Sequence, residues 1–131
     1  MEFPLREGKT DLGKIWDPTI PVSIKTRFGY EPYDFLLDTG ADFTMLPVTF
    51  ADVLELKLSD LPKSRSYGIE GHGVAVFVAP ITLKLGEFPF KVRALLSANE
   101  STPLILGRQG LFDRFNIHFD NRRKVIRISP L

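Results

Sequence analysis

"FLLDTGADFTMLP", residues 35–47, is the stretch that decides how this chain reads. The apolar residues Phe35, Leu36 and Leu37 run directly into Asp38-Thr39-Gly40, and a second acid, Asp42, follows. Neighbouring residues of a strand point to opposite faces, so an apolar Leu36 beside an apolar Leu37 predicts burial on both sides. Asp38 is then a carboxylate placed firmly at the end of a buried strand and exposed at one edge. Gly40 permits a tight turn and a close backbone approach. Thr39 adds a hydroxyl that can donate and accept. On these residues alone, an ordinary Asp-Thr-Gly turn reads as well as a functional loop.

Working outward, "TML" is another short apolar run, and Pro47 stands where a first helical residue would be. In "VTFADVLEL", Phe50, Val53 and Leu54 recur at helical spacing, which predicts a short helix over residues 47–55. Upstream, "PVSIKTRF" alternates apolar and polar residues as a half-buried strand does. "GYEPY" reads as the turn and "DFLLD" as the returning strand. Residues 64–97 are strand-like, with a glycine-rich hairpin tip at "GIEGHG" and a second tight turn at "LGEF". "LIL" is a buried strand ending at Gly107. "RQGLFDRF", residues 108–115, predicts an amphipathic helix of about two turns presenting Leu111, Phe112 and Phe115, although Gly110 lowers its propensity. "NIHF", "DNRRK" and "VIRIS" close the chain as a hairpin. Residues 1–19, with Pro4, Gly8, Gly13 and Pro18, read as an N-terminal arm or edge strand, which leaves 20–131 as the domain. Seven or eight short strands, two short helices and 11 phenylalanines predict a mainly β fold, a closed or nearly closed antiparallel barrel.

Composition narrows the function classes. With 131 residues, one domain is expected, large enough to bury a core without staples. The absence of cysteine excludes disulfides, thiolate metal sites and cysteine nucleophiles. With 17 basic and 16 acidic residues, net +1, the surface has no general attraction for nucleic acid or anionic membrane. Arg122-Arg123-Lys124 reads as a charged turn between strands. The N-terminus lacks the apolar core of a signal peptide, and "GVAVFVAPITL" is too short to span a membrane and contains Pro80, so a soluble, cytoplasmic protein is expected. No metal site is expected, because His72 and His118 have no acid cluster arranged around them.

The acidic stretch closely resembles the active-site loop of the retropepsin-like aspartic peptidases, whose pattern is apolar-apolar-Asp-Thr-Gly-Ala-(Asp or Ser)-x-Thr. "LILGRQGLF", residues 104–112, resembles the second element of that family, an apolar-apolar-Gly-Arg strand and helix. "GIEGHGVAV" lies between the two, where the family has its flap. The resemblance covers roughly residues 20–129. It implies an aspartic endopeptidase in which two carboxylates share a proton and activate a water, with no cofactor. This chain has one Asp-Thr-Gly, so the resemblance implies a homodimer with one Asp38 from each subunit, acting on a peptide or protein substrate. It further implies that Thr39 bonds across the two-fold axis and that Gly40 accepts the substrate backbone. Asp42 and Arg108 would form a structural ion pair beside Gly107, and Gly71, His72 and Gly73 would let the flap bend. Each has a plainer alternative: a local Thr turn, a turn glycine, an Asx turn, a solvated arginine, a surface histidine. Retention of the fold as a dimerising or peptide-binding module without cleavage is the alternative function. Phe43 stands where retroviral relatives often carry a polar or acidic residue, and the helix at 47–55 fits cellular and microbial members better than viral ones.

Overall fold

A computed structural model describes residues 1–67, 71 and 73–131. Its centre is a seven-stranded sheet in the order β4-β5-β10-β6-β9-β8-β7. These strands are β4 (Thr19–Thr26), β5 (Gly29–Leu37), β6 (Thr44–Pro47), β7 (Lys63–Tyr67), β8 (Gly73–Leu85), β9 (Phe88–Ser97) and β10 (Ile105–Leu106). One end of the long β8 pairs with β7, and its other end returns to β4 through Ser23↔Lys84 and Ile24↔Leu83. That last pairing nearly closes the sheet into a ring, and β7 is left as a flange beyond it. Most pairings are antiparallel, as expected. Two are parallel, β5 with β10 and β6 with β9, where the acidic loop and the second motif are drawn together.

Alternation along the strands builds the core. Ile20, Val22 and Ile24 of β4 are buried, and Pro21, Ser23 and Lys25 between them are not. Phe35, Leu46, Leu83, Leu96 and Leu106 meet them inside the ring. Leu85 pairs with Phe88 across the two-residue turn Gly86-Glu87, and Gly86 has φ +55°. A positive φ at the first central residue is what a type II′ hairpin needs.

The remaining strands are β1 (Glu2–Pro4), β2 (Arg6–Thr10), β3 (Gly13–Asp17), β11 (Phe115–Asp120) and β12 (Val125–Pro130). β11 and β12 pair as a hairpin, and β1 adds to the free edge of β12, with Phe3 opposite Ile126. The Met1 ammonium donates to the Ile128 carbonyl at 2.8 Å, and the Ile128 N–H donates back to the Met1 carbonyl at 2.8 Å. β2 and β3 form a separate two-stranded ribbon. Its Trp16 has the Lys14 and Lys124 ammonium groups 5.3 and 5.2 Å from the ring centroid.

Local readings are corrected in three places. The turn between β4 and β5 falls at Arg27-Phe28, and "GYEPY" lies inside β5. Gly29, at φ +95°, starts the return, and the Thr26 hydroxyl accepts the Phe28 N–H at 3.1 Å, so the turn chemistry sits just before "GYEPY". The helix expected over 47–55 is a 3₁₀ turn, Val48–Ala51, followed by single turns that end where Glu55 takes φ +57°. Phe50 and Leu54 still pack on the core, but β-branched Val48, Thr49 and Val53 weaken so short a helix. The helix expected over 108–115 is a run of turns. Leu111 and Phe115 are buried, but Phe112 is 45% exposed, and Gly110 takes φ +81°. A Cβ on Gly110 would lie 2.7 Å from the Lys91 carbonyl oxygen, so this glycine is where the segment presses onto β9. A left-handed residue there breaks the helical run.

Candidate active site

Three strands converge on the loop after β5. On one side the Leu37 N–H donates to the Pro18 carbonyl at 3.0 Å, and on the other the Leu36 N–H donates to the Leu104 carbonyl at 2.9 Å. The Asp38 N–H then donates to the Leu106 carbonyl at 3.0 Å. The backbone of Asp38 is therefore the last rung of a parallel ladder whose other rail is the second motif. Beyond it the chain turns sharply. The Ala41 N–H donates to the Asp38 carbonyl at 3.1 Å, and the Gly40 N–H donates to Asp38 Oδ1 at 2.9 Å. One carboxylate oxygen is thus oriented by backbone. Asp38 is half-buried, and Thr39 and Gly40 are exposed, so the loop presents its tip outward.

The second motif grips the far side of the loop. The Arg108 N–H donates to the Ala41 carbonyl at 3.0 Å, and the Gln109 N–H donates to the Asp42 carbonyl at 2.9 Å. The Arg108 guanidinium also forms an ion pair with the Asp42 carboxylate. Both side chains are substantially exposed, so the backbone bonds hold the loop more than the charges do. Gly107 shows why this position tolerates no side chain: a Cβ there would lie 2.4 Å from both the carbonyl carbon and oxygen of Phe43. Of the ion pairs among the described residues, none involves Asp38.

Two residues of this framework have no role assigned from the sequence. Thr44 is fully buried, and its hydroxyl accepts the Gly107 N–H at 3.2 Å, which joins the two motifs from beneath. The available signal was the threonine that ends the family pattern, which falls on Thr44. Gln109 reaches the other way, and its Oε1 accepts the Arg93 N–H on β9 at 2.6 Å. Nothing in the sequence singles it out.

The flap positions are placed in part. β7 and β8 pair antiparallel from Lys63↔Phe77 to Tyr67↔Gly73, and of the expected hairpin tip "GIEGHG" residues 68–70 lie outside the described residues. Gly71 is exposed with φ +77°. A Cβ on Gly73 would meet the Tyr67 ring at 2.8 Å. His72 lies outside the described residues. Among the described residues no group of three or more His, Asp or Glu side chains could hold a metal ion, and no helix is long and apolar enough to cross a membrane.

Comparisons with known proteins bear on the family and the fold. The aspartyl protease family model matches residues 20–109, the span from the second residue of β4 through β10 that holds the acidic loop and the Gly107-Arg108 part of the second motif. The EIAV protease, solved with an inhibitor, is 30% identical with a TM-score of 0.54, and the match covers 70% of this chain and 82% of that one. A retropepsin-like aspartic protease from Rickettsia conorii superposes over 100% of this chain and 94% of its own with a TM-score of 0.64, at 17% identity, a likeness of fold. The search of curated proteins finds no match. With its family match spanning most of the barrel and both motifs in one hydrogen-bonded frame, the chain belongs to the aspartyl protease family and has the retropepsin-like fold.

Proposed function

We infer that this protein is an aspartic endopeptidase that works as a homodimer, with Asp38 of each subunit supplying one of two catalytic carboxylates. The observation that carries this reading is the single Asp38-Thr39-Gly40 loop, whose backbone is locked by both motifs and whose tip faces outward. One chain holds one such acid, and general acid–base hydrolysis of an amide needs a base for the water and an acid for the carbonyl and leaving nitrogen. A two-fold contact sets a residue opposite its own copy, which provides the second carboxylate. Two carboxylates brought that close do not both ionise cheaply, so one keeps a proton while the other accepts one from the attacking water. Thr39, exposed beside Asp38, would bond to the partner loop. The Gly40 carbonyl would accept from the substrate backbone. The β7–β8 hairpin would close over an extended peptide, which binds by adding a strand. This chemistry requires no cofactor.

One observation favours a second reading, a dimerising or peptide-binding module without cleavage. β1 pairs with β12 of its own chain, so both chain ends are engaged within one subunit. The test is hydrolysis of a mixed peptide library between pH 3 and 7 by the wild type and by Asp38→Asn, with mass measured by light scattering. Cleavage by a dimer, abolished in a variant that remains dimeric, is the expected result. A strictly monomeric protein that cleaves nothing across that range would sink the peptidase reading.

A further inference from the structure

Beside the acidic loop lies a cavity of about 740 Å³, within the range of pockets that enclose small ligands. Its position follows from strand alternation. Along β9, Phe90, Val92, Ala94 and Leu96 turn into the barrel core. Lys91, Arg93 and Leu95 therefore face the other way. The register Val78↔Leu95 and Pro80↔Arg93 sets Val76 and Val78 of β8 on that same outer face. Val76, Val78, Leu95 and Phe43 form its apolar lining, and Asp42 and Arg93, whose backbones both bond to Gln109, add the charged groups.

The charges there are unequal. Asp42 is already engaged by Arg108. Arg93 has no carboxylate within ion-pair distance among the described residues, although its backbone is fixed by Gln109. Arg65 adds a second guanidinium at the rim, where its Nη1 donates to the Gly73 carbonyl at 3.3 Å. The site is an apolar surface beside a guanidinium that has no ion-pair partner among the described residues, and Asp42 lines it too. An extended peptide lying along the loop would place a side chain in it. The complementary side chain has an aliphatic stem and an anionic tip.

We propose that this cavity is a substrate subsite selective for an acidic side chain, glutamate above all, and that Arg93 is its specificity-determining residue. The proposal rests on the peptidase reading above and deepens it. Glutamate lays its methylenes on Val76, Val78 and Leu95 and brings its carboxylate to the guanidinium. Glutamine keeps the stem and loses the charge-assisted bond. Lysine sets like charges together.

The test is a positional set of octapeptides carrying Glu, Gln or Lys at each position in turn. Two readouts are taken: kcat/KM for the wild type, and binding by fluorescence anisotropy to the Asp38→Asn protein, which needs no catalysis. At one position Glu should be favoured over Gln by about tenfold, the order of one hydrogen bond to a charged group. Arg93→Gln should remove that preference, and Arg93→Glu should reverse it toward Lys, which a merely structural role for Arg93 would not do. Binding with an acidic preference but no cleavage supports the subsite and overturns the peptidase reading. Cleavage with no acidic preference, or a preference unchanged in Arg93→Gln, overturns the subsite and leaves the peptidase. Neither binding nor cleavage of any peptide overturns both.

Discussion

At the scale of single residues, the positions that matter most carry the least side chain. Gly107 has no room for a methyl group against the Phe43 carbonyl, so Gly107→Ala must push the acidic loop off the second motif. Overpacking of this kind costs about 1–3 kcal/mol. The expected outcome is a lower urea midpoint together with loss of whatever peptide hydrolysis the wild type shows. A variant of unchanged stability would mean that the loop can move aside freely. Thr44→Val is a second probe. It keeps the volume but leaves the buried Gly107 N–H without its acceptor, which costs about 1–3 kcal/mol. Its effect should exceed that of Asp42→Asn, because the Asp42–Arg108 pair is exposed. Comparing the three unfolding curves ranks the two braces.

At the scale of elements, both helices read from apolar spacing are replaced by turns, and in each case a backbone angle explains it. Spacing of three and four marks which side chains share a face, and Phe50, Leu54, Leu111 and Phe115 do meet the core. It does not report whether the backbone can continue. Glu55 and Gly110 both sit at positive φ, where a right-handed helix cannot. Glu55 is a non-glycine residue in that region, and its strain predicts a gain: Glu55→Gly should raise stability, by up to about 1 kcal/mol after the entropy of the added glycine is set against it. Thermal unfolding reads this directly, and a drop in Tm would show that Glu55 makes a compensating contact. The strands were more legible, because Ile20, Val22 and Ile24 announce their face at every second residue.

At the scale of the whole molecule, two bidentate ion pairs tie the N-terminal segment to the rest. Arg123 grips Glu2 at 2.8 and 3.1 Å, and Arg6 grips Asp34 at 2.9 and 3.0 Å. The hydrogen bond from Arg123 holds the Glu2 carboxyl below the usual carboxylate range, and that from Arg6 does the same for Asp34. A carboxyl depressed in the folded state contributes its stability above its unfolded value and loses it as pH falls through the folded one. The tether should therefore be intact at neutral pH and weaken below about pH 4. Protection factors of residues 2–10, corrected for the intrinsic exchange rate at each pH, should fall in that window, and in the Glu2→Gln/Asp34→Asn variant they should be low at neutral pH already. Equal protection at pH 3 and pH 7 in the wild type would rule the tether out. Salt should mimic acid, since both pairs are exposed. What the sequence determined by itself is local and periodic: the alternating strands, the buried run into Asp38, and a family pattern dense enough to name the loop and its second motif. The tertiary structure alone decided which strands run parallel, that Gly107 and Gly110 are contact points with Phe43 and β9, that Thr44 and Gln109 bridge distant segments, and that β1 closes on its own β12. Periodicity is a property of neighbours along the chain. Each of these contacts joins residues far apart in it, and their distances exist only once the barrel has closed.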